Sequence, residues 1–375
     1  MKKRIKKGFT LVELLVVIAI LAVLSTVAIV GYNSFTEKAQ KSADQQAVTQ
    51  MNTVVEAAGV LENIETGADA YEAIMENGYD GGFKTAYGAY SMAWLAEEKA
   101  VVLVTQEAVA YPEEYAGTSL DKVSPLYTVE ADTKEKLIDA LAGKGSNYVN
   151  VNIPETGLVL TGDTSKLRIE IGKNVTTVIN LEGDLSSTVP FTLIKAFGNL
   201  TINGNGNHIV TVNPQPGSDV VINDAIIGYE NSRLQAIGNF GGNLEVNNCT
   251  FINNAPHDGN DYSYVVNHNS GTTVINDCTY SGITHGMFAL ITGTLTINGG
   301  TYTLNEGSTA HMFYGVGGVF DINGGTYTVK NSGGYMCYDE DLTGDLFVDI
   351  PTGTFNLRGE NLTLDTKGVV GIGNK

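Results

Sequence analysis

A single carboxylate, Glu13, stands inside an apolar run from Phe9 to Val30 that only Thr10, Ser25 and Thr26 otherwise interrupt. Burying such a charge in a bilayer costs about 2.5–3.5 kcal/mol on insertion scales, so Glu13 is a functional candidate by default. Two later clusters carry ligand chemistry. His257, Asp258, Asp261, Tyr262 and Tyr264 combine aromatic faces with hydrogen-bonding groups, a mixture suited to sugars. Asp339, Asp341, Thr343 and Asp345 alternate around Gly344 like the donors of a calcium loop, although the closing glutamate position is Ile350. Calcium is the one cofactor the sequence suggests.

Other chemistries are poorly supplied. A glycoside hydrolase needs one carboxyl as acid and another as base or nucleophile across one face, and no Asn-Thr-Asp or Asp-Asp pair stands on a strand-like segment. His285-Gly286 matches only two residues of the polygalacturonase pattern. A lyase would need a calcium site beside a strong base, and Arg168, Arg233 and Arg358 have no carboxylate cluster beside them. The expectation is a non-enzyme. Cys249, Cys278 and Cys337 are odd in number and form no Cys-x-x-Cys, which points away from a disulfide framework or zinc site. Cys249 and Cys278 fall at equivalent repeat positions and are expected as stacked, buried thiols.

The elements that must position these groups begin with a helix. Lys2, Lys3, Arg4, Lys6 and Lys7 precede Gly8, and the apolar run after it spans roughly 33 Å as a helix, enough to cross a bilayer. The cluster of cations should stay cytoplasmic and leave the C-terminal bulk outside, a single-pass arrangement. Ala39, Ala43, Ala47, Met51, Val54, Val55, Ala58 and Leu61 continue the helical spacing, so one helix is expected over 9–64. The whole chain has a net charge of −19, and losing the leader's cations would make it more acidic still. Such a surface repels phosphate backbones and excludes nucleic acid as a partner.

The segment Gly8-Phe9-Thr10-Leu11-Val12-Glu13-Leu14-Leu15-Val16-Val17-Ile18 resembles the processing motif of type IV pilins and type II secretion pseudopilins. The resemblance implies that a prepilin peptidase cuts between Gly8 and Phe9 and that the Phe9 amine is then methylated. It also implies that Glu13 pairs with the Phe9 amine of a neighbouring subunit, which sets register during assembly. True pilins often carry a kinking proline near residue 30; here Gly31 stands in that region.

Residues 65–126 read as a small α+β module: a helix over 69–75 stopped by Asn77-Gly78, then strands over 90–94, 100–104 and 108–111. Trp94 is expected in its core. A capping helix follows over 130–143, with Asp132 as N-cap and Leu137, Ile138 and Leu141 as its apolar face.

From 144 to 375 the sequence repeats. Segments at Leu200, Val220, Leu244, Thr273, Leu295, Phe320 and Val348 align at intervals of 20 to 29 residues. Five residues beyond the third residue of each lie Asn207, Ile227, Phe251, Tyr280, Tyr302, Tyr327 and Phe355. Thr250, Thr279, Thr301, Thr326 and Thr354 make a second column, and Asn203, Asn223, Asn247, Asn276, Asn298 and Asn323 a third. Short strands with Gly/Asn turns at this period predict a parallel β-helix with stacked asparagine amides. The pattern from Thr133 onward resembles the opening of right-handed, pectate-lyase-like β-helix domains.

The fold expected is thus an α+β pilin-like part, a long helix with a small antiparallel sheet, followed by an all-β parallel β-helix solenoid. The function expected is a membrane-anchored subunit of a type IV pilus or related filament, a minor or tip component, displaying the β-helix at the cell surface for adhesion or binding. A surface-tethered polysaccharide lyase or hydrolase and a type II secretion pseudopilin are the alternatives.

Overall fold

A computed structural model describes the backbone of residues 11–59, 63–79, 81–105, 107–162, 166–189, 191–229, 235–253, 264–306, 311–330, 335–339, 346–349, 353–357 and 360–364, with side chains described between 14–20 and 32–330 within those limits. The long helix α1 runs unbroken from Leu11 to Ala58, through Gly31. It stops short of the expected 64, with the poor helix former Gly59 next in the chain. Its second half buries Asp44, Val48, Met51, Val55 and Ala58, spaced by threes and fours along one face. The described side chains of its first half have no such cover. Leu14, Leu15, Val16, Val17, Ile18 and Ile20 are all exposed, as are Tyr32 and Phe35 at 70% and 73%.

Helix α2 (Gly67–Glu76) is capped reciprocally by Thr66 and Asp69 and ends at Asn77. Four strands, β1 (Ser91–Leu95), β2 (Ala100–Val104), β3 (Val109–Tyr111) and β4 (Val123–Pro125), form an antiparallel sheet in the order β3-β2-β1-β4. The sequence did not announce β4. It is three residues long and ends in a proline, which an edge position accommodates. α1, α2 and this sheet enclose Met51, Ile74, Met92, Trp94 and Leu103. Trp94 is fully buried and its indole N–H donates to the Glu65 carbonyl at 3.1 Å, as a core tryptophan should.

The solenoid starts earlier than expected. Its first strand, Tyr127–Glu130, precedes helix α3 (Lys134–Leu141) and pairs in parallel with Tyr148–Ile153. The N-cap of α3 is Thr133, which accepts from the Lys136 N–H at 3.3 Å, rather than Asp132. Asp132 instead pairs with the Lys136 ammonium. Leu137, Ala140 and Leu141 are buried against the first coils, whereas Ile138 is exposed. Tyr127 joins the two bodies, its ring packed against Tyr71 and Phe83 at 5.6 Å each.

Each coil contributes one strand to each of three parallel sheets. Tyr148–Ile153, Leu158–Leu160 and Lys166–Ile171 make one coil; Thr176–Leu181, Leu185–Ser187 and Phe191–Ala196 stack on it in register. About eight such turns follow one another. The anchors align as the sequence predicts, Leu200 with Val220, Val220 with Leu244, Leu244 with Thr273, Thr273 with Leu295, and Leu295 with Phe320. Phe320 lies beside Val348. One column needs correction. The residue beside Ile227 is Ile209, not Asn207, because the turn Gly204-Asn205-Gly206-Asn207 is longer than its counterparts. At the far end Glu360–Leu364 pairs antiparallel with Gly353–Leu357.

Candidate functional site

At the N-terminal end, Gly8 and Phe9 lie outside the described residues. Glu13 lies in α1, but its side chain is outside them too. Among the described residues no helix is both long and apolar enough to cross a membrane. The apolar run that the sequence offers for that purpose continues over 21–31, whose side chains are not among those described.

The docking of α1 is polar as well as apolar. Asn52 bonds twice to one residue of β2: its Oδ1 accepts from the Val101 N–H at 2.6 Å and its Nδ2 donates to the Val101 carbonyl at 2.9 Å. Asp44 is buried and accepts from the Ala86 and Tyr87 N–H groups at 2.7 and 2.9 Å. The exposed apolar residues at 14–20 are therefore carried by a helix whose second half is clamped to the head.

In the solenoid the asparagine column is a continuous amide ladder. Asn180 donates to Asn150 and Asn152, Asn203 to Asn180, Asn223 to Asn203 and Asn247 to Asn223, at 2.9 to 3.4 Å. Asn276 donates to Asn247 at 2.6 Å, Asn298 to Asn276 at 2.8 Å and Asn323 to Asn298 at 2.9 Å. After three of these residues the chain turns through Asp224, Asn248 and Asp277 with φ of 50–53°, a left-handed conformation that Asn and Asp tolerate. Cys249 and Cys278 come next. Both are free, buried thiols, as expected. The Cys249 N–H donates to Cys278 Sγ at 3.3 Å. Hydrogen bonding with Cys278 holds the Cys249 thiol below its usual range, while the same contact and burial push Cys278 up.

The third sheet gathers the aromatic and imidazole groups. Tyr264 opens the strand Tyr264–Asn276, and its ring meets His285 at 5.3 Å and stacks on Tyr314 at 5.2 Å. His311 closes the circuit, 6.1 Å from His285 and 6.0 Å from Tyr314. Gly286 makes room for it, since a Cβ there would lie 2.4 Å from the Tyr264 ring. Tyr264 is 4% and His285 7% exposed, and His311 and Tyr314 are half-buried. Register sets Asn213, Gly238 and Asn267 on successive strands of one column, which Ala289 and Tyr314 continue. The Oδ1 atoms of Asn213 and Asn267 are buried with no donor among the described residues. Buried amide oxygens without partners are costly.

Of the residues the sequence singles out for ligands, only Tyr264 belongs to this assembly; His257, Asp258, Asp261 and Tyr262 lie outside the described residues. Asp339 ends the strand Tyr335–Asp339, and its side chain is not among those described. Asp341, Thr343 and Asp345 lie outside the described residues, and among these no group of three His, Cys, Asp or Glu could hold a metal. His311, Tyr314, Asn213 and Asn267 were not anticipated. Their strands belong to the third sheet, where connections of unequal length hide the period that marks the other two.

The sequence comparisons concern the N-terminal part. Residues 3–29 match the model of the prokaryotic N-terminal methylation motif. The chain is 38% identical over 65 residues to a type IV major fimbrial protein FimA of Dichelobacter nodosus, covering 17% of this chain and 41% of that one. It is 36% identical over 78 residues to a fimbrial protein of Pseudomonas aeruginosa, covering 21% of this chain and 49% of that one. The chain thus spans less than half the length of these relatives. No solved structure matches. The chain therefore carries the N-terminal methylation motif in a segment similar to the N-terminal part of type IV fimbrial proteins, joined through a small α+β head to a parallel β-solenoid.

Proposed function

We propose that the protein is a non-catalytic subunit of a type IV pilus or related filament, held before assembly by a single membrane span and presenting its solenoid outside the cell. The observation that carries this reading is the exposed apolar stretch 14–20 of α1, on a helix whose other end is clamped to the head, in a chain whose residues 3–29 match the methylation motif. Apolar side chains so exposed on a long helix call for lipid or sister helices as their environment. Prepilin peptidase would cut after Gly8, and Glu13 would pair with the Phe9 amine of the next subunit. Mature protein from the cell surface is expected to begin at methylated Phe9 by mass spectrometry. Glu13→Ala should leave cleavage unchanged and abolish incorporation; a variant that enters filaments normally would refute the role of Glu13.

The solenoid's part in this reading is adhesion. The Tyr264–His285–His311–Tyr314 cluster, with His311 and Tyr314 at its half-buried edge, fits a neutral, hydroxyl-rich ligand such as a glycan, with a sugar face lying on Tyr314. Screening the purified protein on a glycan array, with Tyr314→Ala and His311→Ala as variants, checks this. Binding weakened tenfold or more in both variants is expected, and binding unaffected by either would count against the site.

A further inference from the structure

The pair Cys249 and Cys278 has no part in the reading above. Asn247 lies beside Asn276 and Thr250 beside Thr279, so the two cysteines face each other on adjacent coils. Neighbouring strands are about 4.8 Å apart, inside the roughly 4.4–6.8 Å between Cα atoms that a disulfide spans. The same column holds Ala225 one coil before and Gly300 one coil after, by the pairings of Ile226 with Thr250 and Thr279 with Thr301. The turn therefore requires only a small residue there, and two thiols in contact exceed that requirement. Both sulfurs sit in one pocket of backbone, Cys249 Sγ donating to the Asn247 carbonyl at 3.2 Å and Cys278 Sγ to the Asn276 carbonyl at 3.4 Å.

We propose that Cys249 and Cys278 are a modification site, a dithiol that a low-molecular-weight disulfide converts to an inter-coil disulfide. The Cys249 thiolate attacks one sulfur of the reagent and expels the other as a thiolate, giving a mixed disulfide. The Cys278 thiolate then attacks Cys249 Sγ and releases the remaining half of the reagent. Two protein thiols lose two protons and two electrons, and the reagent is reduced to two thiols. Because both side chains are buried, the first step proceeds through local opening of the two coils. The product closes the loop from 249 to 278, which contains Tyr264 and His268, and fastens together the coils flanking the longest spacing in the repeat.

The test uses the full chain in detergent on a Cys337→Ser background, equilibrated with oxidised glutathione under native conditions. The expected result is a mass lower by two hydrogen atoms, a peptide joining Cys249 to Cys278 in a non-reducing digest, and a Tm higher by on the order of 10 °C. A further Cys278→Ala substitution, which copies the alanine at 225, should keep the fold by circular dichroism and lose the Tm rise. Folded protein that keeps both thiols, or stops at a glutathione adduct, overturns the proposal. So does a Tm rise that persists in the Cys278→Ala variant.

Discussion

At the scale of single residues, His268 is the most informative side chain. It is fully buried, with Nδ1 2.8 Å from Thr273 Oγ1, and Asn239 Nδ2 donates to the same hydroxyl at 2.9 Å. Burial lowers its pKa from 6.5 to about 4, so the folded protein holds it neutral where the unfolded chain would protonate it. Between pH 6.5 and about 4 the unfolded state binds the extra proton, and stability falls as the pH is lowered. The full loss is on the order of 3 kcal/mol and levels off below about pH 4. Urea midpoints at pH 7 and pH 4.5 should differ less in His268→Gln than in the parent protein. Tyr302 supplies a simpler case. Its ring stacks on Tyr327 at 5.4 Å and its hydroxyl donates to the Gly299 carbonyl at 3.1 Å. Tyr302→Phe should cost about 0.5–1.5 kcal/mol, and Tyr302→Ala about 3–5 kcal/mol, in denaturant unfolding. The tyrosine was legible because it recurs at a fixed offset from an Ile-Asn pair. His268 was not, because Thr273 stands five residues on and Asn239 a whole coil back, a pairing that follows no shared spacing.

At the scale of elements, the asparagine ladder and the clamp on α1 do comparable work on the two bodies. Asn247 holds two rungs, donating to Asn223 and accepting from Asn276. Asn247→Ala should therefore cost about 1–3 kcal/mol. Asn52→Ala strips both bonds from Val101, and a similar loss is expected; thermal melts of the two variants would check both figures. Elements with a strong period were readable in advance: α1 from its threes and fours, β2 from its run of Ala-Val-Val-Leu-Val, and the coils from Leu200 onward from their Asn turns. The pieces that escaped are those fixed by distant partners. β4 exists because β1 offers an edge, and Tyr127–Glu130 because Tyr148–Ile153 does, and neither carries enough alternation alone to mark it. The N-cap passed from Asp132 to Thr133, one residue on, where the first turn presents the Lys136 N–H to a hydroxyl.

At the scale of the whole molecule, a slender rod bears a head and a solenoid joined through the ring of Tyr127. We expect so bulky a subunit to sit at filament ends or at rare intervals. Immunogold against the solenoid should label sparsely, and continuous labelling along the shaft would speak against this. The stacking of coils carries a consequence of its own. Thr294 lies beside Val319, so the chain at 294 and the chain at 319 occupy the same place one coil apart. Excising 294–318 should close the stack without disturbing its register, whereas removing half that stretch should unravel it, a contrast that limited proteolysis would show. Each coil gained or lost changes the domain's reach by about 4.8 Å while leaving the N-terminal helix untouched. The length of the arm can therefore drift by whole steps over generations, as a ladder is extended, without any renegotiation at its foot.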